Sequence, residues 1–322
     1  MIETRVPRHA PLVHLLRDGL VEGVHYGSVV VVAPDGTVLF QAGDLDAAFY
    51  PRSAAKPIQA TAMARLGLEL PPELLALSAA SHSGEELHLV GAQRILDTAG
   101  LTERDLRNPA DFPYDPVERD AWVAAGRAPS RLAHNCSGKH SAMLATSARH
   151  GWSLTDYMDP AHPLQRAIAD TVAELTGQTP AHVAVDGCGT PLFAVSLKGL
   201  TTAIGRIAQA PDSVIAPAMR THPEMVGGSR RDVTRLARAV PGLLAKDGFE
   251  AVQVAALPDG TAIGVKISDG SDRARMPVAA AALALAGVDP ELLDPFAGTT
   301  GLDGLRVVGE LENASSLAVI DR

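Results

Sequence analysis

The chain of 322 residues carries 28 basic and 37 acidic side chains, a net charge of −9, and 46% hydrophobic residues. This composition is typical of a globular protein that is long enough to bury a core without disulfides or a structural metal. The acidic balance argues against binding to nucleic acid or to an anionic membrane surface. No apolar run approaches the ~18–20 residues that span a bilayer, and the first residues lack the apolar segment of a secretory signal. We therefore expect a cytoplasmic protein.

The strand signals lie at the two ends of the chain. Residues 27–42 and 250–267 each read as two β-rich runs around a Pro-Asp-Gly turn, which predicts two hairpins. A last strand is expected near residues 305–311. Strands at both ends with helices between them favour an α+β fold, an antiparallel sheet with an inserted helical region. We expect one domain over residues 1–322, with the sheet from about 20–50 and 250–322 and the helical region at about 53–245.

Apolar residues at helical spacing predict the elements between the hairpins. A stretch rich in Pro and Asp predicts a long loop over residues 108–120. The predicted helices cover residues 53–66, 71–80, 85–99, 137–149, 164–175, 192–208, 232–244 and 277–286.

The first candidate for chemistry is Ser53-Ala54-Ala55-Lys56 at the start of a predicted helix. Residues three apart share one helix face, so the Lys56 amine is expected within reach of the Ser53 hydroxyl. A serine needs a base to become a nucleophile, and a lysine serves as that base only when its amine is neutral. The S-x-x-K pattern alone also fits an ordinary surface helix start.

Two further segments strengthen this pattern. Ser81-His82-Ser83 follows the next predicted helix, and Lys266-Ile267-Ser268-Asp269-Gly270 ends the second hairpin. Taken singly, they are explained as a helix N-cap and a solvated strand end. In this chain order the three segments resemble the motifs of serine β-lactamases and penicillin-binding proteins. They therefore predict a shared cleft between the sheet and the helical region.

The cysteines form a separate candidate. Cys136 and Cys188 both lie in tight polar turns, whereas free cysteines usually pack in apolar core. Lys139 and Asp186 are close in sequence, and only five of the 28 basic residues are lysines. The two cysteines are not part of a C-x-x-C or H-x-x-x-H motif, the spacings that strongly indicate a zinc site. Two unreactive thiols therefore remain an alternative.

Long segments of the chain resemble one family, the class 3 or rhizobial-type L-asparaginases. They include RSAAKPIQA, AASHSGEELH, HNCSGKHSAML, DGCGTP, HPEMVGG and GVKISDG, and the resemblance runs from about residue 10 to the C-terminus. It implies a β-lactamase/glutaminase-like fold, a homodimer, and hydrolysis of L-asparagine to L-aspartate and ammonia. It also implies two Ser-Lys pairs and a zinc ion, with Asp186 close by. The residues that it assigns are Ser53 with Lys56, Ser81 with Lys266, and the zinc ligands Cys136, Lys139 and Cys188.

The mechanism that follows is a hypothesis. Ser53 attacks the asparagine amide with neutral Lys56 as base, while Ser81 and Lys266 relay a proton to ammonia; Ser81 is the alternative nucleophile. A glutaminase, an esterase, a β-lactamase or a catalytically silent amino-acid-binding homologue are competing functions. Five histidines in or near the motifs are expected to form hydrogen bonds rather than to act as catalysts, namely His25, His82, His134, His140 and His222.

Overall fold

A seven-stranded antiparallel sheet forms the centre of the molecule in the computed structural model, which describes residues 6–297 and 305–308. Its strands are β1 (Ala10–Arg17), β2 (Leu20–Val32), β3 (Val38–Ala42), β7 (Leu244–Gly248), β8 (Val252–Ala256), β9 (Ala262–Ile267) and β10 (Leu305–Val307). The strand order is β10-β1-β2-β9-β8-β7, and β3 pairs with β2 beside this path. Three short strands form a second sheet, β4 (Ala48–Phe49), β5 (His182–Val185) and β6 (Pro191–Ser196).

The helices come mainly between β4 and β7. They are α1 (Lys56–Arg65), α2 (Pro72–Ser78), α3 (Glu86–Asp97), α4 (Pro116–Ala124), α5 (Ser137–Arg149), α6 (Pro163–Thr176), α7 (Leu197–Gln209), α8 (Ile215–Thr221), α9 (Pro223–Val226), α10 (Asp232–Ala239), α11 (Asp272–Leu285) and α12 (Pro290–Leu293). Short 3-10 helices cover Arg52–Ala55, Glu103–Asp105 and Asp294–Phe296. In the described part of the chain, none of these helices has the length and apolar character needed to cross a membrane.

The central sheet is buried on both faces. Successive side chains of a strand point to opposite faces, so Val30 and Val32 join the core beneath the main helical region while Val29 and Val31 join a second core. The second core is covered by α10, α11 and α12. Burial of both faces explains why the β2 strand ends in an unbroken valine run instead of an alternating pattern.

The predicted architecture, an antiparallel sheet with an inserted helical region, is confirmed, and so are both hairpins. Gly36 and Gly260 have φ values of +87° and +98° in the two turns, a conformation that favours glycine. The sheet is larger than predicted, because β1 and β7 lie outside the expected limits. β10 confirms the start of the last predicted strand, and residues 309–311 of that prediction lie outside the described residues.

Three helix predictions need correction. Residues 191–196 form β6, and a helix begins only after Ser196, whose hydroxyl accepts a hydrogen bond from the Gly199 amide. The helix predicted over 232–244 ends at Ala239, because Pro241 and Gly242 follow it and lead into β7. The last long helix begins at residue 272, five residues before the prediction, and includes a proline in its interior.

The predicted loop over 108–120 is also shorter than expected. Helix α4 begins at Pro116, since the Asp115 side chain accepts hydrogen bonds from the amides of Val117 and Glu118. The remaining predicted helices agree with the structure to within one or two residues at most ends.

Candidate functional site

A narrow cleft lies where the main helical region meets the edge strand β7. It is lined by Ser53, Ser81, Tyr114, Asn135, Arg231, Asp247, Gly248, Phe249 and Asp272. The cleft thus brings together the two predicted serines, which are 28 positions apart in the sequence.

Ser53 reaches the cleft through an unusual local backbone. It lies in the 3-10 helix Arg52–Ala55, and the preceding Arg52 has a φ of +51°, a conformation that is uncommon outside glycine. The 3-10 helix packs directly on β7 at Gly248. A side chain at Gly248 would place its Cβ 2.6 Å from the Pro51 carbonyl oxygen and 3.0 Å from the Ala54 nitrogen. Glycine at this position is therefore required for the close approach of strand and serine.

The amine of Lys56 lies under the cleft and is directed at Ser81. Its Nζ donates to the Ala80 carbonyl at 2.5 Å, to Ser81 Oγ at 3.0 Å and to Cys136 Sγ at 3.1 Å. Lys56 is only 1% exposed. Among the hydrogen bonds of the described residues, none joins Lys56 Nζ to Ser53 Oγ. The lysine predicted to serve Ser53 is thus bonded to the other serine.

Lys266, the predicted partner of Ser81, makes no hydrogen bond to that serine among the described residues. It lies on β9, opposite Val252, and its Nζ donates to the carbonyls of Glu250 and Ile267 at 2.6 and 2.7 Å. The physical reason is the strand order. Because β8 separates β9 from the edge strand β7, the end of β9 is held away from the serines.

Lys246 is the lysine on β7, the strand that borders the cleft, and it directly precedes Asp247 and Gly248, which line the cleft. Its Nζ donates to the carbonyl and to Oδ1 of Asp247, both at 2.7 Å. Burial lowers the pKa of Lys246 to about 8 against the attraction of Asp247, and the nearby Lys56 lowers it further. The signal in the sequence was Lys246-Asp247-Gly248, a K-x-G segment like that of the β-lactamase motif set. It was missed because β7 is short and followed the predicted helix without a visible strand pattern.

The three predicted metal ligands meet in one buried cluster beside Lys56. Cys136 and Lys139 come from the start of α5, and Cys188 comes from the turn between β5 and β6. Lys139 Nζ donates to Cys188 Sγ at 3.1 Å and to Thr190 Oγ1 at 2.9 Å. Both cysteines are free thiols. Asp186 belongs to the same turn, and its carboxylate accepts a hydrogen bond from Arg52 Nε at 2.9 Å.

The cysteine cluster has a defined distribution of protons. A hydrogen bond from Cys136 lowers the pKa of Cys188 well below its usual range, and Lys139 and His140 add to the effect. The same hydrogen bond and burial raise the pKa of Cys136. Although burial opposes the charge of Lys139, the neighbouring Cys188 thiolate raises the pKa of its amine. These opposite directions favour a thiolate at Cys188 beside protonated Cys136 and Lys139.

These donors fit a zinc ion in their chemistry. Two sulfurs and one nitrogen are ligand types that zinc prefers, and three protein ligands leave a fourth position open. No group of three His, Cys, Asp or Glu side chains in the described part of the chain could hold a metal. A site here therefore depends on the Lys139 amine and requires that amine and the Cys136 thiol to lose their protons.

Four of the five singled-out histidines form ring hydrogen bonds, as expected, and the fifth, His222, lies beside a carboxylate. Burial lowers the pKa of His82 and of His140, and it lowers that of His134 to about 4. His82 Nε2 lies 2.9 Å from Ser137 Oγ, and His140 Nδ1 lies 2.7 Å from the Tyr157 hydroxyl. The other two lie elsewhere, with the ring of His25 2.7 Å from Asp269 and that of His222 3.5 Å from Glu224.

The fold and the cleft define an α+β protein in which serine, lysine and cysteine side chains converge at the edge of an antiparallel sheet. A family model for L-asparaginase II matches residues 13–313. The chain belongs to the L-asparaginase II family, and the resemblance seen in its motifs is confirmed.

Several solved structures are similar to this chain at low sequence identity. A protein named Mglu in its native form is 14% identical with a TM-score of 0.42, over 80% of this chain and 62% of its own. A β-lactamase termed putative from Bacteroides dorei is 14% identical with a TM-score of 0.41, over 75% and 84%. A Bacillus glutaminase is 13% identical with a TM-score of 0.33, over 78% and 88%. The chain thus spans less than two thirds of Mglu, and no sequence among curated proteins matches it.

Proposed function

We propose that this protein is an amidohydrolase that converts L-asparagine to L-aspartate and ammonia. Membership in the L-asparaginase II family supports this reaction. The observation that carries the proposal is the buried Lys56 amine, which lies 3.0 Å from Ser81 Oγ beneath a cleft that Ser53 also lines. A buried amine beside a serine hydroxyl is suited to take the proton that activates a nucleophile.

In the proposed reaction, Ser53 is the nucleophile. Its hydroxyl is half-buried at the cleft, whereas Ser81 is only 5% exposed and already accepts a hydrogen bond from Lys56. In this reaction Lys56 is neutral, so this hydrogen bond reverses and the Lys56 lone pair accepts it from Ser81. Ser53 Oγ bonds to the side-chain amide carbon of asparagine, its proton passes to Ser81 Oγ, and the Ser81 proton passes to Lys56 Nζ. Backbone N–H groups, including that of Ser53, stabilise the negative charge that develops on the amide oxygen by donating hydrogen bonds to it.

The second half of the reaction releases the products. The carbon–nitrogen bond breaks, and the leaving ammonia takes a proton from the Lys56–Ser81 pair, with Lys246 as a second amine close to it. Water then attacks the β-aspartyl ester, so that the Ser53 hydroxyl is restored and aspartate leaves. Lys246 is suited to this role because its pKa of about 8 allows it to change protonation near neutral pH.

We propose further that Cys136, Lys139 and Cys188 hold a zinc ion. When bound, zinc would supply a positive charge that orients the polar head of the substrate. Serine chemistry does not require the metal as a source of nucleophilic water. A homodimer and a cytoplasmic location stay predictions.

The test is ammonia release from L-asparagine and from L-glutamine by the purified, zinc-supplied protein, with Ser53→Ala, Ser81→Ala and Ser268→Ala run in parallel. Ser268 is an exposed serine and serves as the matched control. We expect release from asparagine, its loss in Ser53→Ala and full activity in Ser268→Ala. Mass spectrometry of the quenched enzyme should find the aspartyl adduct on the peptide that contains Ser53.

Other outcomes have definite meanings. An adduct on Ser81 with an active Ser53→Ala variant would reverse the roles of the two serines. Equal or faster release from glutamine would make the protein a glutaminase, because one methylene in a pocket is worth only ~1–3 kcal/mol of discrimination. Ammonia release from neither amide would overturn the proposal and favour an esterase or a silent binding protein.

A further inference from the structure

Arg231 is a partly buried cation at the cleft that the reaction as described leaves unused. It precedes α10, and its side chain is 16% exposed. Nη2 donates to Asp247 Oδ2 at 2.5 Å, and Nη1 lies 3.4 Å from the Ser81 carbonyl oxygen. The guanidinium carbon stands 4.8 Å above the Tyr114 ring. Arg231 is thus held by an aspartate, an aromatic ring and the main chain of Ser81, a serine of the candidate site.

Arg231 and two neighbouring cations are matched by three carboxylates, so the place for a further anion rests on unused N–H donors and not on surplus charge. Asp247 is shared between Arg231 at 2.5 Å and Lys246 at 2.7 Å. The neighbouring Arg275 is already paired with Asp232 at 2.6 Å and Asp272 at 3.0 Å. The Asp247 carboxylate at the wall of the cleft is therefore paired with two cations at once. Although burial opposes its charge, these cations hold the pKa of Asp247 well below its usual range.

The remaining donors of Arg231 have the geometry that a carboxylate requires. A guanidinium carries five N–H donors in a planar fork, which matches the two oxygens of a carboxylate. Within the described part of the chain, the Arg231 side chain makes two hydrogen bonds, one from Nη1 and one from Nη2. Its other N–H groups are therefore available to a ligand. In asparagine, the α-carboxylate is separated from the side-chain amide carbon by only two carbon atoms. An amide held at the serines therefore carries its α-carboxylate into the neighbourhood of Arg231.

Arg52 is the competing cation and is less suitable. Its Nε pairs with Asp186 at 2.9 Å, and its guanidinium stacks at 5.4 Å on the Phe249 ring. The Arg52–Asp186 pair is one to one, and Arg52 does not line the cleft. It thus lacks the place on the cleft lining that Arg231 has.

We infer that Arg231 binds the α-carboxylate of the substrate and so restricts the cleft to side-chain amides of free amino acids. This inference rests on the proposed amidohydrolase function. It makes Arg231 a specificity-determining residue, because peptides, esters and simple amides without the free carboxylate forfeit the interaction. A hydrogen bond to a charged partner in such a site corresponds to a difference of about 10- to 100-fold in binding.

The experiment compares L-asparagine with its α-methyl ester, since ammonia release from either reports only the side-chain amide. In the wild-type protein, kcat/KM should be about 10- to 100-fold higher for asparagine. Arg231→Met should raise KM for asparagine by a similar factor, with a smaller change in kcat, and should change KM for the ester much less, because only asparagine uses the carboxylate contact. Arg231→Lys should restore part of the selectivity. Arg238→Met is the control, because Arg238 lies exposed on the same helix and pairs with Glu224.

The result that would overturn the inference is equal selectivity in wild type and Arg231→Met, or an equal loss on both substrates. A loss of selectivity in Arg52→Met alone would assign the carboxylate to the other cation. Should Arg231→Met fail to fold, the wild-type comparison still decides, because equal rates on asparagine and its ester exclude a carboxylate anchor. Calorimetric binding of L-aspartate against its α-methyl ester separates this inference from the reaction. Preference for aspartate that depends on Arg231 would support the anchor even in a protein that releases no ammonia.

Discussion

Replacement of Lys246 by Met tests the assignment of the second lysine through the pH dependence of stability. Lys246 is fully buried, and its pKa is lowered from 10.5 to about 8. Between these two values the unfolded chain binds a proton that the folded protein does not, so the stability rises with pH. Since one pKa step corresponds to about 1.4 kcal/mol, the complete change is about 3 kcal/mol.

The measurement is the free energy of unfolding by urea for the wild type and Lys246→Met at several pH values. Below pH ~8 the wild type bears the full cost of a buried ammonium group, which is relieved as the pH approaches 10.5. The difference between wild type and variant should therefore move in favour of the wild type by about 3 kcal/mol across this window. A difference that stays flat from pH 7 to 10 would show that Lys246 keeps an ordinary pKa and would refute the reasoning.

The turnover number of Lys246→Met is a second, independent measurement of the role of this lysine. Loss of a proton-transferring amine should reduce kcat by about 10²–10⁴-fold in Lys246→Met. Lys266→Met is the matched control, because Lys266 is also a strand lysine but bonds to backbone carbonyls away from the serines. A folded Lys266→Met protein that lost as much activity as Lys246→Met would return Lys266 to the site.

Two further predictions concern the packing of the cleft and the cysteine cluster. Gly248→Ala should lower activity at least tenfold by pushing the serine-bearing 3-10 helix away from β7, because the added Cβ would lie 2.6 Å from the Pro51 carbonyl oxygen; unchanged kinetics in a folded variant would contradict the required close approach. Zinc binding near pH 7 should release about two protons, one each from Cys136 and Lys139, because Cys188 is already a thiolate. Calorimetric titration in buffers of different ionisation enthalpy counts these protons, and release of none would argue against the predicted ligand set.

Local patterns predicted the elements that are stabilised locally. The two Pro-Asp-Gly hairpins and most helices appear where turn chemistry and apolar spacing placed them. The wrong predictions lie where packing and strand pairing with distant segments determine the secondary structure. The apolar run at residues 191–196 forms a strand, because it pairs with β4 and β5, which are distant or weak in sequence signal. The five-residue strand β7 owes its form to pairing with β8 and not to any alternation of its own.

The residues of the candidate site also fall into two groups, those that local motifs predicted and those that only the tertiary structure reveals. Ser53, Lys56 and Ser81, and likewise the cysteine cluster, were predictable because each is embedded in a long local motif. The second lysine was not, since Lys246 lies in a short strand with no visible strand pattern, whereas Lys266 ends a clear hairpin. The order of strands in the sheet places β7, and not β9, beside the serines. Arg231 could not be recognised as a site residue from the sequence. Its position at the cleft depends on Asp247, sixteen residues later, and on the Ser81 carbonyl from another segment.

Lys56 joins the serine cleft to the cysteine cluster, which determines how substitutions there must be interpreted. The same amine donates to Ser81 Oγ at 3.0 Å and to Cys136 Sγ at 3.1 Å. Removing the Cys136 sulfur withdraws one of the three partners that fix this amine, whether or not a metal is bound. A loss of activity in Cys136→Ala is therefore expected from the position of Lys56 alone. Cys188→Ser is the more informative variant for zinc, because Cys188 bonds to Lys139 and Thr190 and makes no hydrogen bond to Lys56 among the described residues.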